Sequence, residues 1–178
     1  TSATLTRPDF TSANLTGVNL TNATLATATA TNANLTMANL KSTSLTNLTA
    51  TGATLDGADL TGATAQGANL ARVSAIGVTA PRADLSNAVL MAADLSGATL
   101  SNSSLSGAYG SQVNLAGADL AGANLTSATL DWADLTGATL SGADLTQANL
   151  SIADLTDADA TYAMFDRTDL QNADLTGA

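Results

Sequence analysis

An apolar residue recurs at every fifth position from Leu5 to Leu175, and the register never slips. Of these 35 centres, 26 are Leu, six are Ala, two are Phe (Phe10 and Phe165) and one is Gly110. In the slot two residues before the centre, which runs from Ala3 to Ala178, 27 of 36 positions hold Ala. A period of five matches neither the 3.6-residue repeat of a helix nor the two-residue alternation of a strand. Such a chain folds as a stack of short units, each burying its apolar face against its neighbours. The reading is one domain, residues 1–178.

Around each centre the pattern is equally regular. The preceding residue is Asp in eleven units, Asn in eight, Thr in ten and Ser in three. The unit reads Ala-(Asp/Asn/Thr)-Leu-(Thr/Ser)-(Gly/Asn), as in Ala58-Asp59-Leu60-Thr61-Gly62 and Ala143-Asp144-Leu145-Thr146-Gln147. This resembles the pentapeptide repeat family, whose unit is written A(D/N)LXX, and the resemblance covers the whole chain. It implies an all-β fold: a right-handed quadrilateral parallel β-helix, or β-solenoid, with four pentapeptides per coil and nearly nine coils.

Elementary packing agrees. Aromatics are only 3% of the residues, so the core must be built from Leu and Ala. The residue before the centre faces solvent, where stacked copies can hydrogen-bond along the axis. Gly, Asn and Ser in the last position suit corners with demanding backbone angles. At ~4.8 Å per coil the rod is about 43 Å long. Ala at centres 65, 75 and 80 thins the lumen, and Pro81 removes a donor from the ladder. Phe10 and Phe165 are placed to plug the two ends, and the end coils are expected to present unpaired strand edges.

The net charge of −10 is lopsided. In residues 1–89 four Asp balance Arg7, Lys41, Arg72 and Arg82, whereas residues 90–178 carry eleven Asp against Arg167 alone. These eleven (Asp94, Asp119, Asp131, Asp134, Asp144, Asp154, Asp157, Asp159, Asp166, Asp169 and Asp174) form an acidic surface that repels nucleic acid and attracts basic partners. Over about 21 Å of rod the spacing is one charge per ~2.1 Å, close to the ~1.7 Å of duplex DNA. Relatives in the family bind DNA gyrase as DNA mimics and protect it from quinolones. The resemblance therefore implies a type II topoisomerase as an alternative partner, although no gyrase-contact residue carries over.

Residues twenty apart should lie above one another, which singles out the side centred on Leu90, Gly110, Leu130 and Leu150. There Val89 lies below Tyr109, Met91 stands beside them, and Trp132, the only Trp, lies below Ile152. Exposed aromatic residues and Met favour interfaces, so these five are the expected partner-binding residues. Tyr162 and Met164 are placed to extend the patch around a corner. Thr-x-Thr triplets such as Thr29-Ala30-Thr31 resemble ice-binding arrays, but the series breaks at Asn69 and Val89.

Catalysis finds no foothold, since the chain has no His and no Cys and every Ser and Asp occupies a repeated, solvated slot. No catalytic, cofactor or metal site is expected; the Asp134, Asp154 and Asp174 column lacks the glycine-aspartate nonapeptide of calcium-binding β-rolls. No apolar run reaches the length of a membrane span and no signal-peptide pattern occurs. The expectation is a soluble, non-enzymatic scaffold in a bacterial cytoplasm, or a secreted and processed one, since the chain opens at Thr1 within a repeat. Its partner is another protein or itself, end-to-end or side-by-side, with neither direct nucleic-acid binding nor a membrane.

Overall fold

The computed structural model describes residues 4, 5 and 7–178. Each unit turns just after its centre. The centre's carbonyl accepts the N–H of the residue three places on, as Leu120 does from Ala123 at 2.9 Å. Every residue two places after a centre, from Arg7 to Gly177, has φ between 47° and 76°. A negative φ followed by a positive one is the signature of a type II turn. Corner strain is therefore general to the array: Trp132 (φ 61°), Ile152 (φ 60°) and Tyr162 (φ 59°) adopt the same backbone as the glycines.

Parallel bridges join residues twenty apart, from Thr4–Thr24 to Asp154–Asp174. Four five-residue units thus close one circuit, which we call a layer. The centre donates its N–H to the next layer, as Leu100 does to the Asp119 carbonyl at 2.7 Å, and the corner residue does likewise, as Gly117 does to Thr136 at 2.8 Å. The residue before the centre donates back, as Asp119 does to Ala98 at 2.8 Å. Among the described residues each bridge is one residue wide, because a positive φ every fifth residue bends the chain before a longer strand forms. Pro81 costs the ladder nothing, contrary to the sequence expectation. It occupies the position just after a centre, whose N–H donates to no backbone carbonyl in any described unit, and its carbonyl still accepts from Gly62 at 3.0 Å.

Centres and their Ala companions fill the interior, with Leu60 and Leu145 buried as expected. Every Leu centre from Leu100 to Leu155 is 0% exposed, while those from Leu25 to Leu95 retain 2–6%. That residue of exposure traces two narrow apolar voids. One of about 20 Å³ runs from Phe10 to Leu70 past Ala30 and Ala65. The other, about 30 Å³, runs from Leu55 to Leu100 past Ala75 and Ala80. The lumen is thus thinned where the small centres lie, but less than they alone dictate. Val73 and Val78 stand two residues before Ala75 and Ala80, and Leu48 before Ala50; all three are buried. Gly110 is filled from the other direction: Val113, three residues after it, and Leu130 of the next layer would lie 3.3 Å (Cγ1) and 2.9 Å (Cδ2) from an added Cβ. At these positions a larger neighbour makes up part of the lost volume, whereas Ala28 and Ala63, two residues before Ala30 and Ala65, do not. Phe10 and Phe165 are half-buried against the core in the outer layers.

Candidate functional surface

The acidic positions acquire their role from one unsatisfied donor. Among the described residues the N–H just after each centre has no backbone acceptor, and a buried or half-buried donor left unpaired is costly. At all eleven Asp and eight Asn positions before a centre, Oδ1 accepts that N–H at 2.9–3.2 Å. The dominant side-chain bond is therefore local, closing the turn, rather than the axial ladder expected from the sequence. Axial bonds occur singly, as from Thr21 Oγ1 to Asn39 Oδ1 at 3.0 Å. Where Ser74 replaces the acceptor, Asp56 of the preceding layer supplies it, bonding the Ile76 N–H at 3.0 Å and the Ser74 hydroxyl at 2.6 Å.

These bonds hold carboxylates ionised. The Thr146 hydroxyl, then its amide, keep Asp144 below the ordinary carboxyl value of 3.8. Thr156, Thr161 and Thr176 do the same for Asp154, Asp159 and Asp174. Burial pushes Asp59 up, but Thr61 and the Lys41 ammonium, 3.0 Å away, outweigh it.

Register decides which acids meet. Asp94, Asn114, Asp134, Asp154 and Asp174 form one bridged column, and Asp119, Thr139 and Asp159 another. Asp144 pairs with Asn124 and Met164, and Asp169 with Asn149, so the acid wraps several sides of the rod. Asp131 and Asp166 follow centres and Asp157 occupies a corner. Asp131 accepts the Ser111 hydroxyl at 2.6 Å, and Asp166 stands 3.9 Å from Arg167.

The five apolar candidates share one side. Its bridged column runs Asn69–Val89–Tyr109–Thr129–Asn149. Beside it stand Thr51, Ala71, Met91, Ser111 and Asp131, and the corner column reads Gly52, Arg72, Ala92, Gln112, Trp132, Ile152, as the interlayer bonds register them. Met91, Tyr109, Trp132 and Ile152 are 39–58% exposed, while Val89 is half-buried between its neighbours. Tyr162 does not join them: it occupies the corner registered with Gly142, on the far edge of the Asp144–Met164 column. Sequence reading missed a notch of about 400 Å³ on this side, lined by Thr51, Ala71, Arg72, Met91, Ala92 and Gln112. The signal was present in the corner column, where Gly52 and Ala92 flank Arg72.

HetL, a pentapeptide repeat protein involved in heterocyst differentiation regulation from the cyanobacterium Nostoc sp. strain PCC 7120, is 33% identical over 99% of this chain and 84% of its own, with a TM-score of 0.44. A pentapeptide repeat protein from the thylakoid lumen of Arabidopsis thaliana is 34% identical over 53% of this chain and 59% of its own, with a TM-score of 0.37. QnrB1, a plasmid-mediated fluoroquinolone resistance protein, is 21% identical in a trypsin-treated form, over 98% of this chain and 91% of its own, with a TM-score of 0.46. No curated protein matches the chain. The family model for pentapeptide repeats matches in 8 copies across residues 9–47, 38–74, 68–107, 111–142 and 139–177, and the chain belongs to the pentapeptide repeat family.

Proposed function

We propose that this chain is a non-enzymatic scaffold, a right-handed quadrilateral β-helix of nearly nine coils. It engages a protein partner through the side bearing Val89, Met91, Tyr109, Trp132 and Ile152. One observation carries the reading: large apolar side chains stand exposed in four successive layers of a single side, whereas those exposed elsewhere, Met37, Ile76, Tyr162 and Met164, do not recur layer after layer. Such clusters mark interfaces where scattered apolar residues do not. The C-terminal carboxylates favour a partner that presents basic groups. Coil geometry is supported by the twenty-residue bridges and the turn after every centre.

The test is a photo-crosslinking amino acid placed at position 109 and, two units round the circuit, at position 99. The position-109 protein forms adducts, identified by mass spectrometry, that the position-99 protein does not. Equal adduct yields from both positions reject the reading.

Charge favours a second reading, mimicry of duplex DNA toward a type II topoisomerase. Hydrogen bonds hold Asp144, Asp154, Asp159 and Asp174 ionised in the strongly acidic half of the rod. Inhibition of gyrase supercoiling at micromolar protein is its expected outcome, and no inhibition removes it.

A further inference from the structure

We propose that the partner of this side is a second copy of the chain, laid antiparallel across it. This rests on the interface reading above and names its occupant. Consider a two-fold axis running across the side, between the layers of Leu90 and Gly110. It reverses the order of the layers and leaves every column opposite itself. Val89 then faces Tyr109, Met91 faces Ser111 and Ala92 faces Gln112. One layer further out Arg72 faces Trp132 and Ala71 faces Asp131; beyond them Gly52 faces Ile152. At every corner pairing a long side chain meets a shorter or differently charged one.

The shapes fit in the same register. The notch of about 400 Å³ spans the layers of residues 51 to 112. The axis brings Trp132 and Ile152 of the second copy onto it, and the reciprocal contact forms by symmetry, as an isologous interface requires. Arg72 is exposed and belongs to neither ion pair found among the described residues. In the pair it lies over the Trp132 indole of the second copy and beside its Asp131. That arrangement supplies a cation–π contact and a charge pair in each half.

Charge selects the direction. Residues 1–89 are neutral and residues 90–178 carry −10. Antiparallel packing sets each acidic half against the neutral half of the other copy, whereas parallel packing would set acid on acid. The contact runs over six layers, about 24 Å. An interface of that length falls in the small class, so the dimer is weak and reversible.

Sedimentation equilibrium on the purified chain up to about 1 mM tests this, with emission from the single Trp132 as a second readout. The wild type dimerises, and the emission shifts to the blue with the same midpoint. Arg72→Asp and Asp131→Arg each weaken the dimer about tenfold or more, and combining them restores it. Trp132→Asn, which tolerates the corner backbone, abolishes dimerisation while leaving the melting temperature unlowered. A wild type that stays monomeric throughout overturns the proposal, as does a dimer indifferent to Arg72→Asp and Trp132→Asn. A monomer that still yields position-109 adducts with a different protein sinks the second copy alone. A monomer with equal adducts at positions 99 and 109 sinks the interface as well.

Discussion

Asn in place of Asp144 keeps an oxygen in place to accept the Thr146 N–H, whereas Ala removes it. Asp144→Ala should therefore cost about 0.5–1 kcal/mol at pH 7, a hydrogen bond discounted for exposure, and Asp144→Asn should be near neutral. The pH response separates the two further. Thr146 holds the folded-state Asp144 below the ordinary value of 3.8. Its contribution is thus present in full above pH about 4 and is lost as pH falls through the lower folded value. Urea unfolding followed by circular dichroism should show wild-type stability falling below pH about 4, and falling less steeply in Asp144→Asn. Ser103 makes the opposite case: its buried hydroxyl oxygen has no hydrogen-bond partner. Ser103→Ala removes that unpaired group and restores the Ala found at most such positions, and should stabilise the chain by about 1 kcal/mol in the same assay. Relief of the left-handed strain at Ile152 predicts a higher melting temperature for Ile152→Asn. On the dimer reading the same change weakens association, so stability and assembly move in opposite directions.

Within the five-residue unit, the interior is governed by pairs of positions rather than by centres alone. Gly110→Leu should overfill the lumen, because Leu130 and Val113 already occupy the room a side chain there would take, and should cost about 1–3 kcal/mol. Gly110→Leu combined with Val113→Ala restores the ordinary Ala and Leu pair and should recover most of the loss. If the double variant is no more stable than the single, by urea midpoint, volume exchange between the columns is refuted. Both columns were legible in the sequence, since a strict period of five marks them. Their compensation was not, because Val73, Val78 and Val113 look like drift until they are seen beside Ala75, Ala80 and Gly110. The preference for Asp or Asn before the centre was legible as a pattern and opaque as chemistry. Only the backbone trace reveals that one N–H per described unit donates to no carbonyl.

For the rod as a whole, charge and packing are unequal between its halves. The C-terminal lumen is closed around fully buried Leu centres, yet its surface carries the entire net charge of −10. Screening like charges should stabilise it: the melting temperature should rise between about 0.01 M and 0.5 M salt, as the screening length falls from ~30 Å to a few ångströms. A flat or falling curve would mean that the pairing of Lys41 with Asp59, and contacts like it, outweigh the repulsion. Periodicity, the inward residues and the sign of each half required no coordinates, because a five-residue repeat leaves one way to gather the apolar groups. Which side chains share a side followed from the twenty-residue circuit. What needed the folded chain was everything that depends on contact between layers: Pro81 being harmless, Asp56 serving Ile76, Tyr162 standing apart, and the notch around Arg72. Each involves groups some twenty residues apart that meet only when the chain has wound once around, and no local pattern records their distance.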